Sequence, residues 1–232
     1  NTIFEKQWKT ENEQDFLSFS GNNYFDKIKD LNINIKKINF NIDDLHVFKD
    51  VTPSGKSDIF KWYELYKNGG FYSDMDIIYF RPIKFFYNFI IKNNVDTVIS
   101  QCDYKGKMNY LSVGFLASTK DNDFYKEVFN NCFKFSKQTG YQTFGVDCIY
   151  DLYSKGSYNN DVLFSVFKKY PNLKILNMPF TMIYPYDSAQ INYCFNTDIN
   201  ISSLPINTFG YHWYAGHPTA QKFNNLLNDN NY

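Results

Sequence analysis

Asp74 and Asp76, either side of Met75, are the residues whose type and spacing best suit chemistry. On a strand, residues two apart project from the same face, with roots about 6–7 Å apart. Two carboxylates so placed repel one another unless a cation sits between them. A hard divalent ion with oxygen ligands meets that need and has coordination left for the oxygens of a diphosphate. An Asp-x-Asp triplet is common, however, and by itself is most often a solvated face. The sequence around it has to decide.

That sequence is well organised. Residues 57–68 are expected to form a helix, with Ser57 as N-cap, Asp58 in the positive first turn, and an apolar stripe of Ile59, Trp62, Tyr63 and Tyr66. Gly69-Gly70 would end it, since glycine takes the left-handed conformation freely. Residues 71–80 then read as one strand, closed by Arg81-Pro82. This delivers the aspartates to a strand end, where open α/β sheets place ligands.

Further strands are expected at residues 2–8, 33–40, 95–100, 112–117, 173–177 and 206–213. Helices are expected at 121–136, 145–154 and 160–169 and after Pro218. Strands interleaved with helices imply an α/β sheet. With 232 residues and no repeat or linker, the chain reads as a single domain. Its 24 basic and 24 acidic residues cancel, which argues against a nucleic-acid binder working by bulk phosphate neutralisation. No C-x-x-C pair appears among Cys102, Cys132, Cys148 and Cys194, so a structural zinc site is not expected. Scattered thiols and no ~18-residue apolar run suggest a cytoplasmic chain touching a membrane at most peripherally. The start at Asn1 fits a catalytic domain cut from a longer protein.

The stretch from Ser57 to Asp76 resembles the sugar-binding region of the DXD-type glycosyltransferases. These include the yeast initiating α-1,6-mannosyltransferase, the α-1,4-galactosyltransferases and, more remotely, the clostridial glucosylating toxins. Ser57, Asp58, Gly69, Gly70, Tyr72, Asp74 and Asp76 match the pattern. Residues 113–118 and 210–217 are similar to later segments of the family, and Trp8 matches an opening-strand tryptophan. Three departures stand out: Lys61 replaces an Arg, Val113 an Asn, and His217-Pro218 a Ser-Trp pair.

The resemblance implies a GT-A-like α/β fold, a mixed central sheet flanked by helices, with a nucleotide-binding part roughly at 1–120 and an acceptor side mostly at 121–232. It implies Mn²⁺ or Mg²⁺, a UDP- or GDP-sugar donor, a glycan, lipid-linked or protein acceptor, and retention at the anomeric carbon. Asp74 and Asp76 are the expected catalytic residues, and with His212 the expected metal ligands, His217 being the substitute. Trp8, Ser57, Asp58, Lys61, Gly70, Tyr72 and Asp74 are expected on the donor. Simpler roles compete: His212 satisfied beside Trp213, Asp58 and Lys61 as an i,i+3 salt bridge, Trp8 in a core, Asp147 as a helix-cap residue rather than a base. A metal-dependent phosphohydrolase or nuclease using the same Asp pair, and a non-catalytic carbohydrate-binding protein, remain alternatives.

Overall fold

Thr52 sets the start of the first helix. Its side chain accepts the backbone N–H of Gly55 at 3.2 Å, and the helix α1 (Pro53–Lys67) begins one residue later. It therefore starts four residues ahead of Ser57, which is not the N-cap but an exposed residue of the helix interior. Thr52 followed by a proline is the stronger start, since the first helical position has no N–H to lose. The computed structural model describes residues 51–104, 108–135, 137–157 and 161–228; the strands expected at 2–8 and 33–40, and Trp8, lie outside them.

After α1 come β1 (Gly70–Ser73), β2 (Ile77–Tyr79), α2 (Lys84–Lys92), β3 (Thr97–Tyr104) and β4 (Met108–Ser118). Then follow α3 (Asp123–Cys132), α4 (Val146–Ser154), α5 (Val162–Lys169), β5 (Ile175–Asn177), α6 (Ile191–Asn196), β6 (Gly210–His212) and α7 (Pro218–Asn228). The main sheet has the order β1-β4-β3-β5, with β5 parallel to β3 and the other pairs antiparallel. A separate antiparallel pair joins β2 to β6. The chain is thus mixed α/β with a mixed sheet flanked by helices, the expected class.

The expected strand at 71–80 is two strands. β1 stays in the main sheet, whereas β2 leaves it to pair with β6, so Asp74-Met75-Asp76 forms the turn between them. Helix α2 was not foreseen; only Phe86 and Ile90, one turn apart, bury against the core.

Both faces of the main sheet are covered. On β3, Ile99 enters a cluster with Ile59, Trp62 and Leu65 of α1, Phe124 and Val128 of α3, and Ile149 of α4. Its neighbour Val98 enters the opposite cluster with Phe86, Phe115, Ile183, Tyr184 and Phe209. This alternation is what a sheet buried on both sides requires. Trp62 also donates its indole N–H to the Phe144 carbonyl at 2.6 Å, which ties α1 to the chain entering α4.

Candidate metal and donor site

Two turns of backbone bring the site together. The Asp74 N–H donates to the Gly114 carbonyl at 2.7 Å and so extends the β1–β4 ladder by one bond. On the other side of the turn, Ile77 pairs with His212 across β2 and β6, and the Trp213 N–H donates to the Asp76 carbonyl at 3.0 Å. The ladder thus sets His212 beside Asp76.

Side chains complete the convergence. His212 Nε2 lies 3.1 Å from Asp76 Oδ1 and 3.8 Å from Asp74 Oδ2. Asp76 Oδ2 accepts the Ala215 N–H at 2.9 Å, and Asp74 Oδ1 accepts the Tyr72 hydroxyl at 2.8 Å. The two aspartates converge because a turn closes over them, not because a strand presents them on one face.

The charges respond to this packing. Burial alone would depress the His212 pKa, but Asp74 and Asp76 outweigh it and push the imidazole up to about 9. Asp76 is buried too, which would raise its pKa, yet His212 and the Ala215 N–H hold it below the usual carboxylate value. The Tyr214 N–H lies 3.3 Å from His212 Nδ1, which can accept it only in the neutral ring, whose remaining proton on Nε2 then faces the carboxylates.

Asp74, Asp76 and His212 offer ligand atoms that all lie within 4.8 Å of one another, and among the described residues no second group of this kind occurs. Two hard carboxylates and one imidazole suit a small divalent ion such as Mn²⁺. Three protein donors are fewer than the ~6 ligands such ions take, so oxygens of a bound diphosphate have a place. The residues fit the group.

A second tier of residues connects to the first. The buried Lys61 ammonium donates to Asp58 Oδ1 at 2.5 Å and to the Val113 carbonyl at 3.3 Å, and lies 4.8 Å from the centre of the Tyr72 ring. Burial raises the Asp58 pKa although Lys61 opposes it. Burial and then Asp74 push the Tyr72 phenol up, and the Ser57 hydroxyl acts on it in the other direction. Ser57, Asp58, Lys61, Tyr72 and Asp74 thus form one linked group. Because Lys61 uses a backbone carbonyl, Val113 serves this contact regardless of its side chain.

Other expected residues stand elsewhere. Gly70 is exposed at the start of β1 with φ +98° and belongs to the turn from α1. His217 lies outside the Asp74–Asp76–His212 group: its Nδ1 accepts the Thr219 N–H at 3.2 Å at the head of α7, and burial lowers its pKa. Asp147 lies in the first turn of α4, where a carboxylate complements the helix N-terminus.

Sequence reasoning missed Gly114, Tyr184 and the Ala215 N–H. A Cβ on Gly114 would come within 2.7 Å of both Asp74 Oδ2 and the Tyr184 hydroxyl, so only glycine leaves Asp74 its room. Gly114 lies in a segment already singled out by similarity; Tyr184 carries no signal in the sequence.

Neither the curated proteins nor the solved structures contain a significant match to the chain. Residues 4–101 match the family of glycosyltransferase sugar-binding regions containing a DXD motif, and this match spans Ser57, Asp58, Tyr72, Asp74 and Asp76. Over residues 4–101, then, the chain is similar to the DXD-containing glycosyltransferases, a family of enzymes of glycosyl transfer.

Proposed function

We propose that the chain transfers a hexose from UDP- or GDP-sugar to a hydroxyl of a glycan, lipid-linked or protein acceptor, with Asp74, Asp76 and His212 holding Mn²⁺ or Mg²⁺. The observation that carries this reading is the meeting of the Asp74–Asp76 turn with His212 from β6, 3.1 Å from Asp76. When bound, such an ion supplies Lewis-acid stabilisation of the negative charge that develops on a departing diphosphate. Asp76 is oriented for ligation by the Ala215 N–H, and Asp74 by the Tyr72 hydroxyl. Lys61, fixed by Asp58 and Val113, adds a buried positive charge behind Tyr72. Preorganised charges of this kind cost no reorganisation as the bond breaks. Trp8 is assigned to stacking on the base, on its match to the family alone.

Transfer with retention is part of the reading. Among the described residues, Asp147 is bound up with the start of α4 rather than with the Asp74–Asp76–His212 group. Acceptor activation then falls to the leaving diphosphate on the same face, where proximity substitutes for a strong base. From an α-linked donor, proton NMR of the fresh product should show an α linkage, and Asp147→Asn should cost little turnover. A β-linked product would overturn the stereochemical assignment.

Calorimetry with UDP- and GDP-sugars tests the metal assignment. One donor should bind in Mn²⁺ and not in EDTA, and Asp76→Asn should abolish that binding while the protein remains folded. Undiminished affinity in the variant would sink the assignment. Release of inorganic phosphate without sugar transfer would favour a phosphohydrolase instead.

A further inference from the structure

Tyr184 packs against His212 and stands near Asp74, and its hydroxyl makes no hydrogen bond. The residue is 4 % exposed, and its hydroxyl is a buried oxygen with no hydrogen bond. The Ser112 hydroxyl is near enough to act on its ionisation but completes no bond to it. The ring is wedged between Phe180, stacked at 4.5 Å between centroids, and His212 at 5.3 Å. The Tyr184 N–H donates to the Phe180 carbonyl at 2.8 Å, and the Ile183 carbonyl accepts the His212 N–H at 3.0 Å. Ring and backbone are therefore fixed, and the hydroxyl cannot swing out to water.

What it faces is Asp74. The Tyr184 hydroxyl and Asp74 Oδ2 lie at the same 2.7 Å from the point where a Gly114 Cβ would stand. Their separation is thus at most twice that distance, with no bond made here yet close enough for a small turn of the carboxylate to make one. Asp74 Oδ2 is the same oxygen that faces His212 at 3.8 Å. A buried hydroxyl left unpaired costs stability, so an orphan beside a ligand set calls for an explanation.

We propose that Tyr184 is a positioning residue of the metal site: its O–H donates to Asp74 when a divalent cation occupies the Asp74–Asp76–His212 group, and is stranded when none does. The assignment rests on the metal reading above. Without an ion, Asp74 Oδ1 accepts the Tyr72 hydroxyl and Oδ2 lies 3.8 Å from His212 Nε2. Ligation would turn the Asp74 carboxylate, and Oδ2 is the oxygen that stands beside the Tyr184 hydroxyl. Hydrogen bonds of this kind to ligating carboxylates orient them and tune affinity, typically by about 10–100-fold.

The test is Tyr184→Phe, which keeps the ring and removes only the hydroxyl. In EDTA the variant should unfold at the same temperature as the wild type or higher, because the oxygen it loses was unsatisfied. Its affinity for Mn²⁺ alone, read by the EPR signal of free ion, should fall about tenfold. In an Asp74→Asn background the same substitution should change Mn²⁺ affinity less than twofold, since its effect runs through Asp74. Wild-type Mn²⁺ affinity in Tyr184→Phe would overturn the proposal, as would an equal loss with and without Asp74. A wild-type protein that binds no Mn²⁺ would instead bring down the metal reading, and this assignment with it.

Discussion

His212 meets two carboxylates with one ring nitrogen, and this makes the proton the ion's competitor. The folded imidazole titrates near 9 against about 6.5 in an unfolded chain. In the metal-free protein its contribution, of order 3 kcal/mol, is complete below about pH 6.5 and is lost as pH rises through about 9. A cation must expel that proton, so Mn²⁺ affinity should climb from pH 6 to 9 and then level off. Thermal unfolding in EDTA and Mn²⁺ titrations at matched pH check both signs; melting temperatures that rise towards pH 9 without metal would contradict the assigned His212 charge. At this scale the sequence was legible where fixed spacings mark the residues, as with Asp74 and Asp76, and where a histidine lies in a segment similar to the family's, as with His212. It was silent on Tyr184 and on the Ala215 N–H, because packing and backbone donors leave no mark on composition.

At the scale of elements, residues 71–80 show what periodicity hides. Phe71-Tyr72 and Ile77-Ile78-Tyr79 read as one strand because each half does pair. The halves pair with different partners, β4 and β6, which lie far along the chain. Helix α2 escaped because its apolar residues surround the helix, with Phe85, Tyr87, Phe89 and Ile91 all exposed, so no helical stripe stands out. The turn between α1 and β1 was legible, and Gly69 and Gly70 now separate by mechanism. Gly69 has φ +66°, and a Cβ there would meet backbone atoms of Ser118, Thr119 and Lys120 at 2.6–2.7 Å. Gly70 has φ +98° with nothing within 4 Å. Gly69→Ala should therefore cost about 3 kcal/mol or more, and Gly70→Ala about 1 kcal/mol. Equal losses in denaturant unfolding would mean the β4–α3 turn yields to a Cβ.

Over the whole molecule, the long segment between β5 and β6 has to be held so that β6 can reach β2. Arg81, the sole arginine of the chain, does much of this. One guanidinium donates to the carbonyls of Pro205, Ile206 and Thr208 at 3.1, 2.9 and 2.6 Å, and to that of Ile201 at 3.4 Å. A lysine keeps the charge but not the fork. Arg81→Lys should lower stability by about 1 kcal/mol, a modest figure because three of these bonds are exposed, and should weaken Mn²⁺ binding with it. Loss of stability with unchanged Mn²⁺ affinity would show that β6 finds its place without the clamp.

The bond from the Ala215 N–H to Asp76 spans 139 residues of chain. A ribosome makes the Asp74–Asp76 turn early and the strand that answers it late. At typical rates of synthesis the interval is on the order of ten seconds. Throughout it the growing chain carries two carboxylates with neither the imidazole nor the backbone donor that balances them. β2 likewise waits that long for β6, its pairing edge open. The Asp74–Asp76–His212 group is thus completed long after its first half is made, and a release factor acting before β6 emerges would free a chain whose sheet can begin to form but whose candidate metal site cannot.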